Sequence, residues 1–482
     1  MAEQQQLQPG QTEEPAETGF FDRLFSGDKP LWIIVISLAI ISLLVVYSST
    51  ASMAYKNAGG NTAHYFFNQL KFIAIGFVIM WFVHRINYQR YVRFTVVLFI
   101  LALGFMLLTF VIGVNLNSAS RWIRIPIIGM TFQPSDFMRV TLVALLAQQL
   151  AKRQKVIDKI PILPALTPGG WRKNPRKNRD ILFDTTIPLL GPVVVACGAI
   201  FFSNFSTAAL TFFTCWVMLF IGRVRVRELW RLIALVVVVM AAAVTVMYMF
   251  NIGRSHTWVN RLGLGDALSK TEQVQVQNDE DNLQEEQAQI AIASGGITGK
   301  GPGNSTQRSN LPHAYSDFAY AFIVEEYGLV GSCLILFLYL CVFFRGIVIF
   351  QRCGTALPSL LVLGLSLMIT LQALINMMVS VGYFPVTGQT LPLISLGGSS
   401  VVFTSLSLGI ILGVSRQMKE QSLDRPKASP CWSRGAAKGP ENRSRYRDLE
   451  NRWFVAGKAL NREAGKESVK GQNKQGYLHR DI

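Results

Sequence analysis

The chain has 482 residues, half of them hydrophobic and only 16% charged, which leaves too little polar surface for an ordinary soluble protein of two or three domains. Its net charge of +17 does not argue for nucleic acid, because the basic residues sit in short blocks between apolar runs and in the C-terminal tail. The six cysteines lie mostly inside or beside apolar runs, with no CxxC pair and no histidine at metal spacing, so neither a disulfide framework nor a zinc site is expected.

Residues 1–30 are rich in Gln, Glu, Pro and Gly and lack the basic and apolar layout of a cleaved signal peptide, so they read as a disordered cytoplasmic N-terminus ahead of a retained first helix. A bilayer core of about 30 Å needs roughly 20 apolar residues per helix. On that ruler the chain is all-α, a polytopic membrane protein of about ten spans near 31–50, 66–84, 94–114, 135–151, 182–202, 205–221, 232–250, 327–350, 357–381 and 399–415. Positive charge resists translocation, so loops rich in Lys and Arg stay in the cytoplasm. Arg85, Arg90 and Arg93 occupy one loop, nine Lys or Arg occupy 152–180, and Arg223, Arg225, Arg227 and Arg231 occupy a third. The membrane domain thus covers 31–417, and a basic tail over 418–482 suits a disordered cytoplasmic segment near anionic lipid. Both termini are placed inside, and the connections 115–134, 251–326 and 382–398 outside.

The longest outer connection, 251–326, changes character along its length. Residues 266–287 are polar and acidic, with Glu272, Asp279, Glu280, Asp281, Glu285 and Glu286, and are expected to be mobile. From 288 to 326 small residues and a Gly and Pro cluster read as a re-entrant or interfacial cap. GGITGKGPGN at 295–304 lacks the spacing of a Walker loop. It is either a tight turn between interfacial helices or a contact to pyrophosphate through Lys300 and the loop amides.

Ionisable groups at membrane depth cost at least a few kcal/mol each, so they tend to be paired and functional. Asp136 and Arg139 open the fourth span one turn apart, as an i, i+3 ion pair or as the floor of a polar cavity. Asp184 stands near the start of the fifth span. Glu325 and Glu326 precede the eighth, as anchors to Arg121 or Arg124 or as catalytic groups; Asp317 stands a little before them. Three outer segments, 117–139, 295–326 and 376–400, combine Gly, Pro and Ser turns with polar groups at helix ends. Irregular backbone of this kind is tolerated only when buried in protein or lining a watery cavity, so the three are expected to build one external cavity.

These segments carry a resemblance. SRWI followed by FQPSD, then GKGPGNSTQ followed by LPHAYSDFAYAFIVEEYG, then PVTGQTLPLISLGGSS, occur in the order and spacing of the SEDS family of shape, elongation, division and sporulation proteins, which includes FtsW, RodA and SpoVE. The chain resembles that family over roughly 31–417, and TLPLIS and GGSS are more similar to the FtsW branch than to RodA. The resemblance implies a peptidoglycan glycosyltransferase of the bacterial inner membrane that polymerises lipid II during cell division. It also implies work with a class B penicillin-binding protein and other division proteins, and no nucleic acid. An essential Asp of the family sits in a short motif of the long outer loop. Here that stretch reads NRLGLGDALSKTEQVQVQNDEDNLQEEQ, with Gln284 and Gln287 at the positions of the motif's glutamines and about ten extra residues before them. Depending on where the insertion lies, the Asp is Asp266, or Asp279 or Asp281. The family's usual Glu and Lys after FQPS are here Asp136 and Arg139.

Glycosyl transfer from a lipid pyrophosphate needs a base near the acceptor hydroxyl and positive charge or a metal near the leaving group. The expected base is Asp266. The expected substrate-binding residues are Arg121, Lys300, Gln284, Gln287 and Ser399, with Arg124 as a further cation and Asp136, Arg139, Asp317, Glu325 and Glu326 shaping the cavity. A divalent cation, Mg or Mn, is a candidate cofactor, and no residues are assigned to hold it. Two other classes compete: a lipid II flippase or transporter using midplane charges, and a non-catalytic division scaffold.

Overall fold

The structure, a computed structural model, describes residues 25–50, 62–112, 114–116, 119–125, 130–157, 163, 175–249, 272–307 and 317–423. One compact unit runs to Ser422, and the expected basic tail beyond Leu423 lies outside the described residues. Asp266 and the side chains of Arg121, Arg124, Asp279 and Asp281 also lie outside them.

The helices, in chain order, are α1 (Lys29–Ser49), α2 (Thr62–Arg85), α3 (Tyr88–Arg93), α4 (Thr95–Ile112), α5 (Pro134–Arg153), α6 (Pro175–Ile181), α7 (Ile187–Ser203), α8 (Phe205–Ile221), α9 (Val226–Met249), α10 (Glu272–Gly295), α11 (Ala319–Arg352), α12 (Ala356–Ser380) and α13 (Gly398–Leu423). Each of the ten expected spans falls on one of them. Six stretches, Lys29–Ser49, Thr62–Arg85, Arg179–Ser203, Ala319–Arg352, Ala356–Ser380 and Gly398–Gln421, are long and apolar enough to cross a membrane on their own. Shorter apolar helices occur at Thr95–Thr109 and Phe205–Ile221. Large apolar side chains such as Ile33, Val78, Val97, Val194, Val238 and Phe337 face outward, where a soluble protein would carry charge. α12 runs through the middle, packed against α5, α8 and α11.

Two expectations need amendment. The chain is not wholly helical: β1 (Val114–Leu116), β2 (Ala119–Ile125) and β3 (Met130–Phe132) form a small antiparallel sheet in the order β1-β2-β3, with Val114 opposite Trp122 and Arg124 opposite Thr131. The β-branched and aromatic residues Trp122, Ile123 and Ile125 favour an extended strand. The acidic stretch expected to be mobile is helical from Glu272 onward. Gln and Glu are good helix formers, and acids near a helix N-terminus oppose its dipole favourably.

At one end of the bundle the chain enters α1 through a short strap. Asp28 caps α1 by accepting from Leu31 N at 3.0 Å, and its carboxylate also pairs with Arg345 of α11. Ser26 Oγ lies 3.0 Å from His84 Nε2 at the end of α2. Gly27, at φ +105°, passes so close to α13 that a Cβ there would lie 3.1 Å from Leu412 O. A π-helical turn, Leu182–Thr186, leads into α7; the carbonyl of the exposed Asp184 accepts from Arg153 Nε at 2.7 Å.

Candidate functional site

The opposite end of the bundle holds the irregular segments. Between α12 and α13 the chain turns back inward, and Leu391–Ser395 is buried. Buried backbone outside a helix must find partners elsewhere. Gln372 Nε2 donates to Thr390 O at 2.9 Å, and Asn376 Nδ2 donates to Gln389 O at 2.7 Å and to Asp317 O at 2.8 Å. Ser42 Oγ of α1 donates to Ile394 O at 3.1 Å, and the Tyr339 hydroxyl donates to Pro392 O. Gln389 Nε2 donates to Thr207 Oγ1 of α8. Leu393 is held at φ +65°, a conformation that L residues seldom adopt and that this dense set of bonds enforces.

Against this segment stands α5. Pro134 and Ser135 open the helix, and Asp136 follows in its first turn. One turn later Arg139 points into the bundle, 2% exposed, with Nη1 3.9 Å from Asp136 Oδ1 and donating to Gln372 Oε1 at 2.9 Å. Its Nε and Nη2 are buried and have no hydrogen-bond partner among the described residues. Gln372 therefore bridges the guanidinium to Thr390 O, and Thr390 Oγ1 donates onward to Ser400 Oγ at 3.0 Å. The neighbouring Ser399 Oγ is buried, also without a partner among the described residues. The expected i, i+3 ion pair is present at 3.9 Å, and it leaves a cation under-satisfied by its own chain next to unspent polar atoms. A buried charge is tolerated when it has a counter-charge or a ligand, so this corner is suited to an anionic or hydroxyl-rich one.

The glycine-rich loop after α10 folds onto α11. Glu325 Oε1 accepts from Lys300 Nζ at 2.7 Å, Thr306 N at 2.9 Å and Thr306 Oγ1 at 2.8 Å; Ser305 Oγ donates to Glu325 Oε2. Glu326 Oε1 accepts from Gly303 N at 2.9 Å and from Ser48 Oγ of α1. α11 breaks at Gly328, whose φ of 67° and ψ of −166° only glycine adopts readily. A Cβ there would stand 2.3 Å from Ile297 O. The loop's amides thus cradle carboxylates of their own chain. Among the described residues Glu325 pairs with Lys300 within the same connection, while the expected anchor to Arg121 or Arg124 involves side chains outside the described residues.

The remaining sequence candidates separate. Gln284 and Gln287 lie on α10, and Gln287 Oε1 is buried without a partner among the described residues. Asp279 and Asp281 occupy helical positions of α10, and Arg121 lies in β2. Asp317 contributes its backbone carbonyl to Asn376. Among the described residues no group of three His, Cys, Asp or Glu is placed to hold a metal. Sequence reading missed Gln372, Asn376 and Gln389. Gln372 and Asn376 stand four apart in an otherwise apolar span, and that pattern is a signal for one polar helix face.

A family model described as a cell cycle protein, covering FtsW, RodA and SpoVE, matches residues 28–420. Stage V sporulation protein E of Bacillus subtilis is 30% identical over 404 residues, spanning 81% of this chain and 97% of its own length. A protein named probable peptidoglycan glycosyltransferase FtsW from Coxiella burnetii is 28% identical over 399 residues, spanning 80% of this chain and 95% of its own. A solved structure described as structural coordination of polymerization and crosslinking by a peptidoglycan synthase complex shares the fold, with a TM-score of 0.57 and 23% identity over 81% of this chain and 98% of that one.

Proposed function

The chain belongs to the family of FtsW, RodA and SpoVE cell cycle proteins, and from that premise we propose that it is a peptidoglycan glycosyltransferase polymerising lipid II during cell division. The observation that carries this reading is Arg139, a buried guanidinium of α5 with two nitrogens unspent, linked through Gln372 to the irregular backbone after α12 at one end of a membrane bundle. Neither a plain scaffold nor a lipid-facing helix needs such a group.

In the proposed reaction the acceptor sugar's 4-hydroxyl attacks the donor's anomeric carbon, a new glycosidic bond forms, and the lipid pyrophosphate leaves with the bonding electron pair. Asp266, or Asp279 or Asp281, takes the hydroxyl proton. Arg139 offsets charge on the substrate, with Arg121 as a further cation; Lys300, expected from sequence in that role, is engaged by Glu325, and Gln284, Gln287 and Ser399 contact the sugars or peptide. Mg or Mn is a proposed aid to pyrophosphate departure, and no step depends on it. Family membership and the apolar helices support a bacterial inner-membrane location. The basic loops support ten crossings, cytoplasmic termini and an outer site. The fold neighbour, described as a peptidoglycan synthase complex that coordinates polymerization and crosslinking, supports a crosslinking partner, for which the family resemblance implies a class B penicillin-binding protein. The names of the relatives support division rather than elongation.

Purified chain in liposomes with lipid II tests the class of activity. Glycan polymer is the expected product; translocated monomer would establish a flippase instead, and neither would leave a scaffold.

A further inference from the structure

The long connection between α9 and α11 ends in α10, and α10 is fastened to the bundle twice. One fastening is apolar: Ala288 of α10 packs with Phe318, Ala321 and Val379. The other is polar and lies in the loop just beyond, where Glu325 and Glu326 are both buried and consecutive on α11. Glu325 gathers Lys300, Ser305, Thr306 and Gln307 N, while Glu326 binds Gly303 N and Ser48. Lys300 Nζ also donates to Thr306 Oγ1 at 2.7 Å, and Lys300 N and Gly301 N donate to the carbonyls of Glu325 and Glu326 at 3.0 Å each. This is an intramolecular anion cradle: the loop's donors close on carboxylates supplied by α11. The C-terminal end of α10 is pressed on the same helix, since a Cβ at Gly295 would lie 2.2 Å from Val324 O.

We propose that the Glu325–Lys300 pair is a positioning device that seats α10 on α11 and α12, and through that seat holds the long connection for the reaction. Glu325 and Lys300 touch no substrate; they act through the seat of α10. The assignment rests on the glycosyltransferase reading for its catalytic half, and on the cradle alone for its structural half.

The test uses the full-length chain in lipid nanodiscs, with two readouts: hydrogen exchange over 284–307 and steady-state polymerisation of lipid II. Glu325→Gln is expected to raise exchange in 299–307 roughly tenfold or more. It is also expected to lower kcat about tenfold while KM for lipid II stays within about twofold. Lys300→Met should do the same, and the double variant should be no worse than either single change, because both break one interaction. Where Glu325→Gln does not fold, Thr306→Val removes two of the Oγ1 contacts at nearly constant shape and carries both readouts. Unchanged exchange overturns the proposal, as does raised exchange with unchanged kcat, or a rise in KM alone. If the unaltered chain makes no polymer, the catalytic half falls with the function reading, while the exchange result still decides the cradle.

Discussion

Arg139 gives its 2.9 Å hydrogen bond to the neutral amide of Gln372, while the carboxylate of Asp136 stays 3.9 Å away. A neutral acceptor orients a guanidinium without cancelling its charge, so the cation is held ready rather than spent. Arg139→Met is therefore expected to reduce lipid II polymerisation by about a hundredfold or more, in the range found when a preorganised charge-stabilising donor is removed. Arg139→Lys keeps the charge and loses the planar fork, and should cost roughly tenfold. A polymerisation gel on matched amounts of folded protein decides it. Equal activity in Arg139→Met would remove this residue from the reaction.

The second prediction concerns the base. Asp266→Ala is expected to abolish polymerisation with the protein still inserted, and Asp266→Asn to be nearly as damaging, because the amide keeps the shape and loses the basicity. Full activity in Asp266→Ala with loss in Asp279→Ala or Asp281→Ala moves the role onto α10. Activity in all three variants eliminates a general base from this connection.

Gly328→Ala should prevent recovery of folded protein. The new methyl group would meet Ile297 O at 2.3 Å and Gly299 N at 2.4 Å, in a backbone conformation closed to alanine. The combined cost is upward of about 3 kcal/mol. Gly296→Ala is the contrast, since its φ is +58° and no atom lies within 4 Å of the added carbon. It should lose only about 1–2 kcal/mol. Thermal unfolding in detergent compares the two, and equal midpoints would contradict the close approach.

Orientation follows from the basic loops. A cysteine placed at Ser269 should react with an impermeant reagent in intact cells, and one placed in 152–180 only after the cells are opened. The reverse pattern would invert the topology.

The helices on which the expected spans fall were legible because a long run of apolar residues has few other uses, and six of them are long and apolar enough to cross a membrane. Asp136 and Arg139 were legible as a pair because their spacing is one helical turn. What escaped had weaker local signals. α10 carries Gln, Glu and Asp in place of apolar periodicity, so nothing in its pattern separated helix from mobile chain. The role of Gln372 depends on Thr390, which reaches it only through the inward turn after α12, a contact no spacing rule supplies. The sequence left Lys300 between a turn and a phosphate contact; its carboxylate partner, 25 residues further along the same connection, is a pairing that no local spacing indicates.

The strap ahead of α1 bears on how the chain is made. Asp28 precedes its partner Arg345 by 317 positions, and the helix that closes over Gly27 is the last of the described helices. During synthesis Asp28 can cap α1 at once, but its carboxylate has no cationic partner until α11 has been made. A truncated product keeps an exposed acidic cap that a finished one has hidden, a difference by which surveillance proteases could tell the two apart.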